Sequence, residues 1–230
     1  MNVNYSIYSE YIRSKFFIMS SIIKLRGKGV SRIINSKVML SPLAGVTDKI
    51  FRKLVRKWAP ESLLFTEMIN ATSLKHGYGT QKIKQLELEK GPVGVQIFDN
   101  RPFAVSEAAK LAEDSGAFLI DINMGCPVKK ISRKGGGSAL INDRLLAIEL
   151  VKRVSNAVKV PVTVKTRLGW ENKEENIEEF LLSLQDAGAE MITLHGRTRK
   201  EGFSGKADWE MIGKIKELLE IPVIANGDIK

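Results

Sequence analysis

Phe118-Leu-Ile-Asp-Ile-Asn-Met124, with Gly125-Cys126-Pro127 directly after it, is a short apolar run that closes on a glycine, the chain's one cysteine and a proline. A run this short and this continuous suits a strand buried on both faces. Pro127 stops the strand and fixes the turn. Gly125 lets backbone come close to a ligand. Asp121 and Asn123 lie two apart, so they share one face of the strand. A lone thiol in such a loop is either buried filler or a reactive group at the mouth of a site. Its polar neighbours favour chemistry.

The same kind of run recurs on both sides. Strands are expected over 38–44, 63–69, 92–98, 118–124, 160–168, 191–196 and 221–226, and helices over 48–58, 102–114, 143–158, 174–187 and 208–220. In the first helix Ile50, Phe51, Leu54, Val55 and Trp58 form one apolar stripe, and Thr47 is placed to cap its start. Seven βα steps in a row point to the α/β class and to a TIM (β/α)8 barrel. A doubly wound sheet is the alternative, and no Gly-x-Gly-x-x-Gly follows any strand to support it. The chain stops at Lys230, just after the seventh strand. The expectation is therefore an incomplete barrel with the eighth strand absent and the first and last strands left as edges.

Composition is that of an ordinary globular protein, with 43% hydrophobic and 27% charged residues. No apolar run reaches the roughly 18 residues a membrane helix needs. One cysteine excludes an internal disulfide and fits a reducing, cytoplasmic setting. The net charge is +10, and residues 1–37 carry seven Lys or Arg against one acid, Glu10. Either the basic balance serves a polyanion such as nucleic acid, or much of it belongs to a tail. Residues 1–37 are read as a basic, poorly ordered extension, with a transit peptide and an early start codon as the other readings. The folded domain is placed at 38–230.

In barrels the site lies at the C-terminal ends of the strands. Those ends carry Ser41, Pro42, Ala44 and Gly45; Glu67; Gln96; Asn123 and Cys126; Lys165 and Arg167; His195 and Arg197; and Asn226, Gly227 and Asp228. Each alone is explained by a satisfied polar group. As a set, with Gln96, Lys165 and His195 inside apolar runs, they make a site.

Ser-Pro-Leu-Ala-Gly-Val-Thr-Asp (41–48), Gly-Val-Gln-Ile-Phe (94–98), Asp-Ile-Asn-Met-Gly-Cys-Pro (121–127), Lys-Gly-Gly-Gly-Ser-Ala-Leu (134–140), Val-Lys-Thr-Arg-Leu-Gly (164–169), His-Gly-Arg-Thr-Arg (195–199), Gly-Lys-Ala-Asp-Trp (205–209) and Ala-Asn-Gly-Asp-Ile (225–229) together resemble the tRNA-dihydrouridine synthases, and the subgroup looks like the bacterial B type. The resemblance implies an FMN-binding TIM barrel followed by a helical domain, here absent. It implies reduction of the 5,6 double bond of uridine in tRNA, with NADPH or NADH restoring the reduced flavin. By motif, Cys126 would be the proton donor. Pro42, Leu43, Ala44, Gln96, Lys165, His195, Asn226, Gly227 and Asp228 would hold FMN. Asn123, Lys134, Arg167, Arg197 and Arg199 would meet the substrate tRNA. A monomer with no metal and no membrane contact is expected. Leu43 stands where methionine is usual and Phe203 where an aromatic hydroxyl is common. The family's eighth strand carries a Gly-Arg pair to the FMN phosphate, so this chain is expected to bind FMN weakly.

The chemistry is coherent. Hydride delivered to C6 of uracil leaves enolate-like charge, and a positioned acid quenches it at C5. An ordinary thiol is mostly protonated at neutral pH and so can donate. Lys165 beside the flavin's pyrimidine edge favours the anionic reduced form. The target base must leave its stack, and Lys129, Lys130, Arg133 and Lys134 follow Cys126 as phosphate contacts. Two alternatives stand beside this one: another FMN barrel oxidoreductase acting on a free pyrimidine, and an inactive remnant.

Overall fold

A strand places successive side chains on opposite faces, and here the two faces have different jobs. The computed structural model describes residues 22–84, 86–171 and 176–229. In chain order the elements are β1 (Ile23–Arg26), β2 (Ser31–Ile34), α1 (Lys49–Trp58), β3 (Leu64–Phe65), β4 (Ile69–Asn70), α2 (Ala71–Lys75), β5 (Val93–Phe98), α3 (Pro102–Asp114), β6 (Leu119–Asn123), α4 (Lys129–Ser132), α5 (Arg144–Ala157), β7 (Val162–Arg167), α6 (Ile177–Asp186), β8 (Ile192–His195), α7 (Trp209–Leu218) and β9 (Val223–Asn226). Strands β3 to β9 form one seven-stranded sheet in the order β3-β5-β6-β7-β8-β9, with β4 also alongside β5. Every pairing in it is parallel. From β5 onward each strand is separated from the next by a helix, which is the arrangement of a (β/α) barrel. Among the described residues the sheet does not close, and β3 and β9 stand at its ends.

The outer face is aliphatic. Val93, Val95, Ile97, Ile120, Ile122, Val162, Val164, Ile192 and Leu194 join Ala108, Ala112, Leu150, Val154, Leu181, Leu184 and Ile215 of the helices in the main core. The inner face alternates with it. At its lower end Phe65, Leu119 and Met191 pack with Leu25 and Ile34 of the β1–β2 hairpin. Toward the strand C-termini the inner face turns polar, with Gln96, Asp121, Asn123, Thr163, Arg167 and His195 all buried.

Several expectations change. The part of the 1–37 segment from Ile23 to Ile34 is an antiparallel hairpin that plugs the inner face, rather than an extension outside the fold. Residues 1–21 lie outside the described residues. The strand expected over 38–44 reduces to one bridge, Leu40 to Leu64. The strand over 63–69 splits into β3 and β4, because Glu67 turns aside to accept the Gly45 amide (2.8 Å) and pair with Lys82 (3.1 Å). Asp48, not Thr47, caps α1 by accepting from Phe51 N (2.8 Å), while the Thr47 hydroxyl is held at Leu43. The apolar stripe of α1 faces outward at Ile50, Leu54 and Trp58. The inward face is anchored by Arg52, which donates to Glu89 (3.0 Å) and to Thr47 O (2.7 Å). Of the helix expected over 174–187, residues 174 and 175 lie outside the described residues, and α6 starts at Ile177.

Candidate active site

Parallel register brings the polar residues into rows. Gln96 sits beside Asp121, Asp121 beside Thr163, and Asn123 beside Lys165. Arg167 sits beside His195, and His195 beside Asn226. Because these side chains point to the same inner face, neighbours on adjacent strands bond across the sheet. Gln96 Nε2 donates to Asp121 Oδ2 (2.6 Å), and Thr163 Oγ1 donates to Asp121 Oδ1 (2.6 Å). Asn123 Nδ2 donates to Gln96 Oε1 (2.8 Å). Asn123 Oδ1 accepts from the backbone N–H groups of Gly125 (3.2 Å) and Cys126 (3.0 Å). Asp121 is fully desolvated, and burial pushes its carboxyl up to about 6 in spite of these donors and the nearby Lys165.

Cys126 is a free, half-buried thiol at the mouth of this row. Its loop is held from three sides. Arg167 Nε donates to Gly125 O (2.8 Å). Ser138 N donates to Cys126 O (3.1 Å). Gly137, at φ 59°, lies so close that an added Cβ would meet Cys126 O at 3.0 Å and Cys126 Cβ at 3.1 Å. The glycine run 135–137 therefore gives close approach to the cysteine's own backbone. The thiol lies within electrostatic reach of Lys165 and Arg167.

Lys165 donates to Asn226 Oδ1 (3.0 Å), and Asn226 Nδ2 donates to Ser41 Oγ (3.2 Å), which ties the strand-end segment 41–44 to the other end of the sheet. Burial pushes the Lys165 ammonium down to about 8, with Asp121 opposing that shift and Arg167 adding to it. His195 is buried, and its Nε2 faces Arg197 Nη1 at 3.3 Å. Desolvation first, then Arg167, Lys165 and Arg197, push it down to about 3, so the imidazole is neutral at physiological pH. The neutral imidazole thus sits among Lys165, Arg167 and Arg197, with the Asp228 carboxylate as the opposing charge. An ammonium with its charge desolvated and an N–H to spare fits an anionic, hydrogen-bonding group, as the reduced form of a flavin would be. Gly227, at φ 105°, brings the backbone after β9 against the His195 ring, where an added Cβ would sit 2.9 Å from Cδ2.

The residues expected at the site divide. Gln96, Asn123, Cys126, Lys165, His195, Asn226 and Gly227 come together around the inner face. Pro42 is half-buried and Leu43 and Ala44 are exposed, in the turn joined to this face through Ser41. Asp228 is spoken for by Ala207 N (2.7 Å) and by a two-pronged pair with Arg197 (2.7 and 2.8 Å), which hold its carboxyl below the usual carboxylate range. Arg167 and Arg197, expected to meet substrate, are buried instead. Arg167 donates to the carbonyls of Gly125, Thr198 and Gly202, and Arg197 to those of Ser204 and Gly205. They staple loops together, because loops crowded at a barrel mouth expose carbonyls that need donors. Arg199 is half-buried over the Trp170 ring (4.4 Å). Lys129, Lys130 and Lys134 are exposed, and the last two rim a cleft of about 390 Å³ with Asn70, Asp99, Asn100 and Arg101. Thr163 was not singled out in the sequence. The signal was its place two residues before Lys165, on the same face.

The profile of the dihydrouridine synthase (Dus) family matches residues 39–230. A probable tRNA-dihydrouridine synthase 1 from Synechocystis sp. is 53% identical over 199 residues, covering 86% of this chain and 56% of that protein. A probable tRNA-dihydrouridine synthase from Rickettsia bellii is 41% identical, covering 85% of this chain and 60% of that protein. A tRNA-dihydrouridine synthase B from Vibrio parahaemolyticus is 39% identical, covering 85% and 61%. The chain thus spans less than two thirds of these relatives' length. Among solved structures, histamine dehydrogenase from Rhizobium sp. 4-9 overlays with a TM-score of 0.68 at 14% identity, over 94% of this chain and 43% of that one, a likeness of fold.

Proposed function

Since the chain belongs to the dihydrouridine synthase family, we propose that it acts as a flavin-dependent oxidoreductase that reduces the 5,6 double bond of uridine in tRNA. The observation that carries this reading is the half-exposed Cys126 thiol, held by Asn123 beside the Lys165 ammonium. Reduced FMN, when bound, supplies the hydride to C6 of uracil, and NADPH or NADH restores it. Cys126 delivers the proton from Sγ to C5 on the other side of that bond, and the thiolate is reprotonated from water. Lys165 and Asn226, bonded to each other, would hold the flavin together with the Gly227 backbone, the ammonium supplying positive charge for its anionic reduced form. Gln96 acts through its bond to Asn123. Neutral His195 accepts rather than repels donors, and the surrounding cations favour a phosphate or a reduced ring.

Lys129, Lys130 and Lys134 offer charges to the tRNA backbone on the loop that follows the thiol, and Arg199 adds one across the mouth. A flipped uridine is the substrate form such a mouth admits. The test is incubation with FMN, NADPH and tRNA lacking dihydrouridine, read by mass spectrometry of the digested nucleosides. Dihydrouridine formed by the chain and lost in Cys126→Ala supports the reading. Reduction of free uracil but not of tRNA assigns the chain to the small-molecule class, and no reduction of either overturns it.

A further inference from the structure

The inner-face bonds run in one direction. A carboxylate only accepts, so at Asp121 the Gln96 side chain must present Nε2. That leaves Gln96 Oε1 facing Asn123, which must answer with Nδ2. Asn123 Oδ1 is then left facing the loop, and there it meets two backbone donors, Gly125 N–H and Cys126 N–H. Reverse either amide alone and donor meets donor at one of its ends while acceptor meets acceptor at the other. All three side chains are buried, so water does not absorb the mismatch.

We propose that Asp121 is a positioning residue for Cys126, acting through Gln96 and Asn123. Asp121 does not touch the thiol. It sets which atom of Asn123 faces the cysteine loop, and Thr163 steadies it by donating to its second oxygen. The loop would otherwise rely on Arg167 at Gly125 O and on Ser138 at Cys126 O, which grip carbonyls and leave the two amides unmet. The placing of a buried carboxylate at this cost follows from the need for an acceptor-only group at the head of the relay. The functional meaning of the inference rests on the proposed role of Cys126, but its physical content does not.

Amide exchange in the full chain, without flavin or tRNA, tests it apart from that role. Asp121→Leu and Gln96→Leu are each expected to speed exchange at Gly125 and Cys126 by roughly tenfold, the loss of about one buried hydrogen bond. Val164, whose N–H donates to Met191 O on the neighbouring strand, serves as the reference and is expected to stay protected. The double variant is expected to exchange no faster at the loop than either single one, since a relay broken once has no more to lose. Additive effects, or equal acceleration at Val164, would mean that Asp121 only supports the fold and would overturn the proposal. If Asp121→Leu does not fold, Gln96→Leu decides alone, and wild-type protection of Gly125 and Cys126 in it overturns the relay.

Discussion

The outer and inner faces of the same strands obey opposite rules. On β6 the outer residues Ile120 and Ile122 are fully buried among aliphatic helix side chains. The inner residues Asp121 and Asn123 are as deeply buried but hydrogen-bonded to Gln96, Thr163 and the cysteine loop. The outer face therefore stabilises by removing apolar area from water. The inner face holds desolvated polar groups whose bonds mainly cancel the cost of burying them. One face supplies the folding energy, and the other spends part of it to keep an acid, a cation and a neutral imidazole in fixed places.

Substitutions separate the two faces. The largest effect is expected from Cys126→Ala, which should lower dihydrouridine formation by about a hundredfold or more while leaving the melting temperature nearly unchanged. A rate within a few-fold of wild type would remove the thiol from the mechanism. Ile122→Ala, on the outer face, should do the reverse. It leaves a cavity and should cost about 3 kcal/mol in urea unfolding, with the thiol chemistry intact in the fraction that stays folded.

Lys165→Met probes the cost side. The Lys165 ammonium titrates at about 8 in the fold against an ordinary 10.5. A cation with a depressed folded pKa contributes stability that is present above its ordinary pKa and lost as pH falls through the folded value. The flavin-free chain should thus gain stability from pH 8 to pH 10, by on the order of 2 kcal/mol from this group, and Lys165→Met should flatten that rise. The same variant should bind FMN more weakly by fluorescence titration. A variant that keeps the wild-type pH slope would show that desolvation of Lys165 is relieved some other way. The smallest effect belongs to Ile224→Ala at the end strand β9, where the side chain is half-buried. Its cost should be about 1 kcal/mol, well below that of Ile122→Ala, and equal costs would contradict the contrast between the middle of the sheet and its end.

Much of this was legible in the linear order of residues. The apolar runs over 92–98, 118–124 and 160–168 mark β5, β6 and β7, and α3 has the expected bounds. Glycine, cysteine and proline after Met124 mark the end of β6, and the motifs around Gln96, Cys126, Lys165 and His195 mark the family. These are local signals, because strand runs, turn residues and short motifs need no knowledge of distant chain. Three matters needed the folded chain. Register decides that Asp121 bonds Gln96 and Thr163, since pairing of separate strands is invisible along one of them. Packing decides that Ile23–Ile34 plugs the barrel and that the α1 stripe faces out at Ile50, Leu54 and Trp58, since the periodicity of a stripe does not say which way it turns. Crowding of loops decides that Arg167 and Arg197 answer buried carbonyls, because an arginine's charge reads the same whether it waits for a phosphate or fastens a turn.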